Sequence, residues 1–162
     1  MRLLSLFFVS IFFFSSCDEE TNSTDVVIFK GITTTDFQGV VISADPDDWK
    51  LYEHWINKES ALFNEKYVNV CDTINNQYAA ISFPNPCNGA FILHFDKPDS
   101  CRLAYRLVDK NFKVLRTNDS VYADLLYINL LSDSLPAGIV RMYYKFYGQG
   151  CELRGHGDIQ IE

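Results

Sequence analysis

A mainly β fold, an antiparallel β-sandwich of about seven strands, is predicted from three features of the second half of this 162-residue chain. Short runs rich in β-branched and aromatic residues recur from Tyr78 onward, turn residues separate most of them, and several alternate large apolar side chains at period two. Such alternation buries one strand face and is what packs two sheets together.

Taken in order, the strands are expected over 78–83, 90–95, 102–109, 113–117, 125–131, 139–147 and 153–161. The alternation is clearest in Phe91, Leu93 and Phe95, in Leu103, Tyr105 and Leu107, and in Met142, Tyr144 and Phe146, so these sets are assigned to the core. The other face of the sixth strand carries Tyr143, Lys145 and Tyr147. That ladder is a candidate ligand face, stacking on a glycan or a peptide, but exposed tyrosines on a sheet more simply form cross-strand pairs.

Residues 26–77 read as an extension ahead of the sandwich. Val26-Val27-Ile28-Phe29 and Val40-Val41-Ile42 are candidate strands, with Thr33-Thr34-Thr35-Asp36 between them as a loop. In Asp45-Pro46-Asp47-Asp48 three carboxylates invite a calcium site, but the glycine-bearing twelve-residue loop is absent. A turn leading into a helix cap is the preferred account. Trp49, Tyr52, Trp55, Ile56, Leu62 and Phe63 recur at roughly helical spacing, which predicts one amphipathic helix over 48–63.

The N-terminus is charged and then apolar. Arg2 precedes an uncharged run over 3–14 that is too short for a membrane-spanning helix of about 20 residues. Ser15, Ser16 and Cys17 follow. Phe14-Ser15-Ser16-Cys17 resembles the lipobox of bacterial lipoproteins, in which the cysteine is acylated and becomes the first mature residue; the plainer alternative is a secretory signal with a cysteine nearby. The resemblance implies removal of 1–16 and a membrane partner reached through lipid on Cys17. Losing Arg2 would move the net charge from −7 to −8. Residues 17–25 then form an acidic tether, and Asp18-Glu19-Glu20 resembles the surface-export signal of Bacteroidota lipoproteins. The expected location is the cell envelope, as an outer-membrane lipoprotein facing the periplasm or the cell surface.

Cys71, Cys87, Cys101 and Cys151 remain, an even number in an oxidising compartment, and predict two disulfides. Cys71 with Cys87 and Cys101 with Cys151 is the favoured pairing. Their spacing does not fit a zinc site, where cysteines come in close pairs, so no metal or cofactor is expected.

A second resemblance runs from Ile81 to the end. Phe83-Pro84-Asn85-Pro86, the apolar strand Phe91 to Phe95, the strand from Arg102 that leads to Asp109-Lys110-Asn111-Phe112-Lys113-Val114, and Leu135-Pro136-Ala137-Gly138-Ile139 resemble the C-terminal sorting domain of type IX secretion substrates. That family has Asp-Xaa-Xaa-Gly-Xaa-Val where this chain has Phe112 in the glycine position. The resemblance implies an immunoglobulin-like sandwich and a Bacteroidota origin.

With 48% apolar and 22% charged residues the chain has the composition of a folded protein, and its acidity excludes nucleic acid as a natural partner. His54, His94 and His156 stand apart in sequence, and no nucleophile elbow or phosphate loop is present. Gly155-His156-Gly157-Asp158 invites an acid–base reading, but the glycines are more simply a bulge in the closing strand. The expectation is therefore a lipid-anchored, non-catalytic envelope protein that is structural or binds an envelope protein or glycan. A type IX sorting or cargo module is the first alternative, and a small enzyme using His156 and Asp158 the second.

Overall fold

The structure, a computed structural model, describes residues 26–51, 54–64, 77–131, 135–148 and 150–162. The expected signal segment 1–16, the expected tether 17–25 with Cys17, and Cys71 lie outside the described residues. Two sheets pack face to face. A three-stranded sheet has the order β4 (Ala79–Phe83), β5 (Ala90–Asp96), β8 (Leu125–Asn129). Opposite it lies a five-stranded sheet in the order β3 (Lys50–Leu51), β10 (Glu152–Ile161), β9 (Gly138–Tyr147), β6 (Arg102–Val108), β7 (Val114–Val121). All of these pairs are antiparallel. The mainly β sandwich expected from the sequence is therefore present.

Alternation sets the core. Leu93 and Phe95 of β5, Leu103 and Leu107 of β6, and Met142 and Tyr144 of β9 have no accessible surface, and Phe91, Tyr105 and Phe146 join them between the sheets. Each such side chain contributes about 1.5–3 kcal/mol by leaving water.

The larger sheet is covered on its second face as well, so nearly all of β6 and β9 is buried. Segment 26–31 and the short helix α1 (Asn57–Ala61) with its flanks lie over it, and Val27 and Phe63 form a second apolar cluster with Ala104, Val108 and Tyr143. The ladder Tyr143, Lys145, Tyr147 is consequently not an open ligand face. Tyr143 is fully buried and donates its hydroxyl to Glu59 Oε1 at 2.8 Å, Lys145 bonds Glu152 at 3.2 Å, and the half-buried Tyr147 donates to the Asp119 carbonyl. Period two identifies two strand faces but not whether a distant segment folds over the second.

The first half departs most from expectation. Residues 26–29 form no strand; Val27 makes one backbone bond, to the Lys110 carbonyl at 2.8 Å. Instead of a loop over 33–36 there is β1 (Thr34–Thr35), paired with β2 (Val41–Ser43). Thr35 exchanges backbone bonds with Asn85 and donates its hydroxyl to the Ser82 carbonyl at 2.8 Å. The 48–63 helix shrinks to α1, because Lys50 and Leu51 pair with His156 and Gly155 at the β10 edge and Trp49 takes a left-handed φ of 56°. Pairing with that strand edge overrides the helical spacing.

The closing strand is regular. From Gly138↔Ile161 to Tyr147↔Glu152 every residue of the β9–β10 hairpin is in step, so the expected bulge at 155–157 is absent. The glycines serve close packing: a Cβ on Gly157 would lie 2.3 Å from the Trp49 ring, and one on Gly155 would lie 2.3 Å from the Lys50 carbonyl oxygen. Trp49 thus lies across Gly157 and stacks on Tyr144 with ring centres 5.9 Å apart.

The pairing of cysteines also differs. Cys87 and Cys101 are buried free thiols, so neither the Cys71–Cys87 nor the Cys101–Cys151 bridge forms. Cys101 lies 3.2 Å from the Tyr78 hydroxyl. Cys151 is disulfide-bonded. Sequence separation chose the expected pairs, whereas strand placement buries Cys87 beside the end of β10 and Cys101 just ahead of β6.

Candidate functional site

The covered face of the larger sheet contains a chain of charged and polar groups that begins with the β9–β10 register. Asp158 and Arg141 stand directly opposite each other across the hairpin, and their side chains form a fork, Nε to Oδ1 and Nη2 to Oδ2, both at 2.7 Å. Arg141 Nη2 also donates to the Ile28 carbonyl at 3.1 Å, and its guanidinium lies 5.3 Å from the Phe29 ring centre. Burial disfavours the charge on Arg141, but the bonds to Asp158 more than offset this and keep it firmly protonated.

Two further groups extend the chain. Tyr143 is pushed well above the usual tyrosine range, first by burial and then by the neighbouring Glu59 carboxylate, to which it donates. The other oxygen of Glu59, Oε2, accepts the Ile56 N–H at 2.8 Å and so holds the start of α1. At the opposite end, Asp48 is nearly inaccessible. Its carboxylate accepts the N–H of Thr33 and of Asp158, each at 2.7 Å, and neither caps a helix nor faces solvent. Burial pushes its pKa from 3.8 up to about 6; the two amide bonds hold the rise back, and the Asp158 charge adds to it.

Asn85, from the Pro-Asn-Pro segment, ties the same region to the rest of the sandwich. Fully buried, it donates to the carbonyls of Thr33 and Asp158 at 2.8 and 2.9 Å and accepts the Gln160 N–H at 2.9 Å.

Two adjoining clefts open beside this network, of about 240 and 520 Å³, and share Ile28, Lys30, Arg141 and His156. The smaller is acidic, with Asp45, Asp47, Asp48 and Asp158 in its wall. Among the described residues, the larger has Lys30, Lys50, Arg141, His54 and His156 against Glu59 as its one carboxylate, over apolar surface from Val26, Ile56 and Phe112. Strand alternation does bring His156 and Asp158 to the same side, as expected, but both Asp158 oxygens are bonded to Arg141. Among the described residues, no three His, Cys, Asp or Glu side chains converge as a metal site.

Sequence reasoning missed Arg141. Counting outward from the glycine-bearing turn at 148–151 sets Arg141 opposite Asp158 and would have found it. Lys30 and Asp48 gave no such signal, because they reach the site through tertiary contacts alone.

Set against known proteins, the chain matches no family model, no curated protein and no solved structure.

Proposed function

We propose that this protein is a cell-envelope lipoprotein: a non-catalytic, immunoglobulin-like β-sandwich that binds a ligand or partner, held at the outer membrane by lipid on Cys17. The observation that carries the non-catalytic reading is the occupation of its acid–base groups. Asp158 is bonded to Arg141, Asp48 to the backbone amides of Thr33, Trp49 and Asp158, and Glu59 to Tyr143 and Ile56, while an open cleft lies beside them. An enzyme drawing on His156 and Asp158 would need that carboxylate released from a buried ion pair, a costly step.

The strand order supports the immunoglobulin-like assignment, since β4-β5-β8 facing β7-β6-β9-β10 follows the two-sheet, Greek-key plan of that class. The Cys17 anchor is supported by the sequence ahead of the fold. The described fold begins at Val26, nine residues after Cys17, so a lipid there keeps the domain within about 30 Å of the bilayer. No helix of the described residues is long and apolar enough to cross a membrane. Labelling cells with a fatty-acid analogue tests the anchor: incorporation should vanish in Cys17→Ser and the chain should move to the soluble fraction. Unchanged membrane partition of that variant would overturn the proposal.

A second reading, a type IX sorting module, is favoured by one detail. Phe112 stands where that family has glycine and takes a left-handed φ of 60°, the conformation a glycine adopts freely. The Asp109 carboxylate, accepting the N–H of Asn111 and Lys113 at 2.8 and 2.9 Å, holds that turn. Cleavage near Ile81 in cells would support this role, and retention of an intact C-terminus would exclude it.

A further inference from the structure

Resting on the reading of the protein as a binding module, we infer that the larger cleft takes a small organic monoanion, a carboxylate with an apolar body. Its volume of about 520 Å³ lies in the range of small-molecule sites. In a chain of net charge −7, the described residues place three cations and two histidines around this concavity against a single carboxylate.

The internal bonds then separate the groups that hold the fold from those that can meet a ligand. Glu59 is engaged on both oxygens, and the charge of Arg141 is matched by Asp158. Lys30 and His54 form no ion pair among the described residues, and Lys50 has only a solvent-exposed bond to Asp47 at 3.3 Å. The cleft therefore presents two lysines able to receive an anion. Ile56, Phe112 and Val26 offer it an apolar wall, stiffened where Phe112 stacks on Tyr143 with ring centres 6.2 Å apart.

The number of charges on the ligand follows from the neighbouring cleft. Asp45 and Asp47 stand beside the shared Lys30, so a dianion such as phosphate meets repulsion that a carboxylate largely avoids. The apolar wall in turn favours a carboxylate that has a hydrocarbon body over acetate.

Titrating the purified full-length chain with sodium hexanoate, followed by calorimetry or amide NMR shifts, tests this. Saturable binding is expected, weaker with acetate and weaker with inorganic phosphate. Lys30→Gln and Lys50→Gln should each weaken it about threefold and the double variant about tenfold, the scale of exposed ion pairs. Arg102→Gln, outside both clefts, should leave it unchanged. No saturable binding, equal binding of phosphate, or full affinity in the double variant would overturn the inference. Partition of the chain to the membrane is measured independently, so the ligand assignment can fail while the anchor stands.

Discussion

Asp48 is a carboxylate whose two oxygens join a distant loop to the closing strand from a nearly inaccessible position. Its folded pKa of about 6 lies above the unfolded 3.8, so the folded state binds the extra proton. The contribution of Asp48 to stability is therefore fully present below about pH 4 and falls as pH rises to about 6, with a slope approaching 1.4 kcal/mol per pH unit at most. Asp48→Asn removes this titration. Urea unfolding between pH 4 and 7 should show the variant's deficit shrinking as pH rises; a constant deficit would contradict the assignment.

Gly157 tests close packing in the same way. Because its neighbour is the Trp49 ring rather than a special backbone angle, Gly157→Val should cost on the order of 1–3 kcal/mol and change Trp49 fluorescence. Unaltered stability and fluorescence would show that the indole does not lie there. At Cys87 and Cys101, a thiol reagent followed by peptide mapping should mark both after unfolding without reductant and leave Cys151 unmarked. Labelling of Cys151 would contradict the bonding described here.

Elements differ in how far local sequence determines them. The seven strands β4–β10 begin and end close to where alternation and turn residues place them, the largest difference being β7, which runs on to Val121. Their pattern is self-contained, since period two and a flanking turn lie within each segment. In the extension the helix expected over 48–63 survives only as α1, and β1 and β3 were not read, because tertiary partners decide these segments: Thr35 meets Asn85, Lys50 meets His156, and Glu59 meets Tyr143. The candidate site has the same limit. His156 and Asp158 could be read from one strand, whereas Lys30 and Asp48 arrive from the extension.

The short helix α1 offers the sharpest test at this scale. Five residues cannot sustain a helix alone, so its position depends on Glu59 reaching both the Ile56 N–H and the Tyr143 hydroxyl. Glu59→Ala should speed amide exchange across 54–64 at least tenfold while β5, β6 and β9 stay protected. Equal protection of 54–64 in both proteins would mean that apolar packing alone holds the helix.

For the whole molecule, folding the extension over the larger sheet converts a sandwich with one open face into one with a covered face, and it builds the two clefts at the seam. That arrangement suits the proposed binding module: the covering layer is the segment that follows the proposed lipidation site, and it forms the cleft together with Phe112, Arg141, Tyr143 and His156 of the sandwich. The intact mass of the chain extracted from membranes tests this account most directly. A species running from Cys17 to Glu162 and carrying two or three acyl chains is predicted. A species that starts elsewhere without acyl groups, or one cut near Ile81, would contradict it.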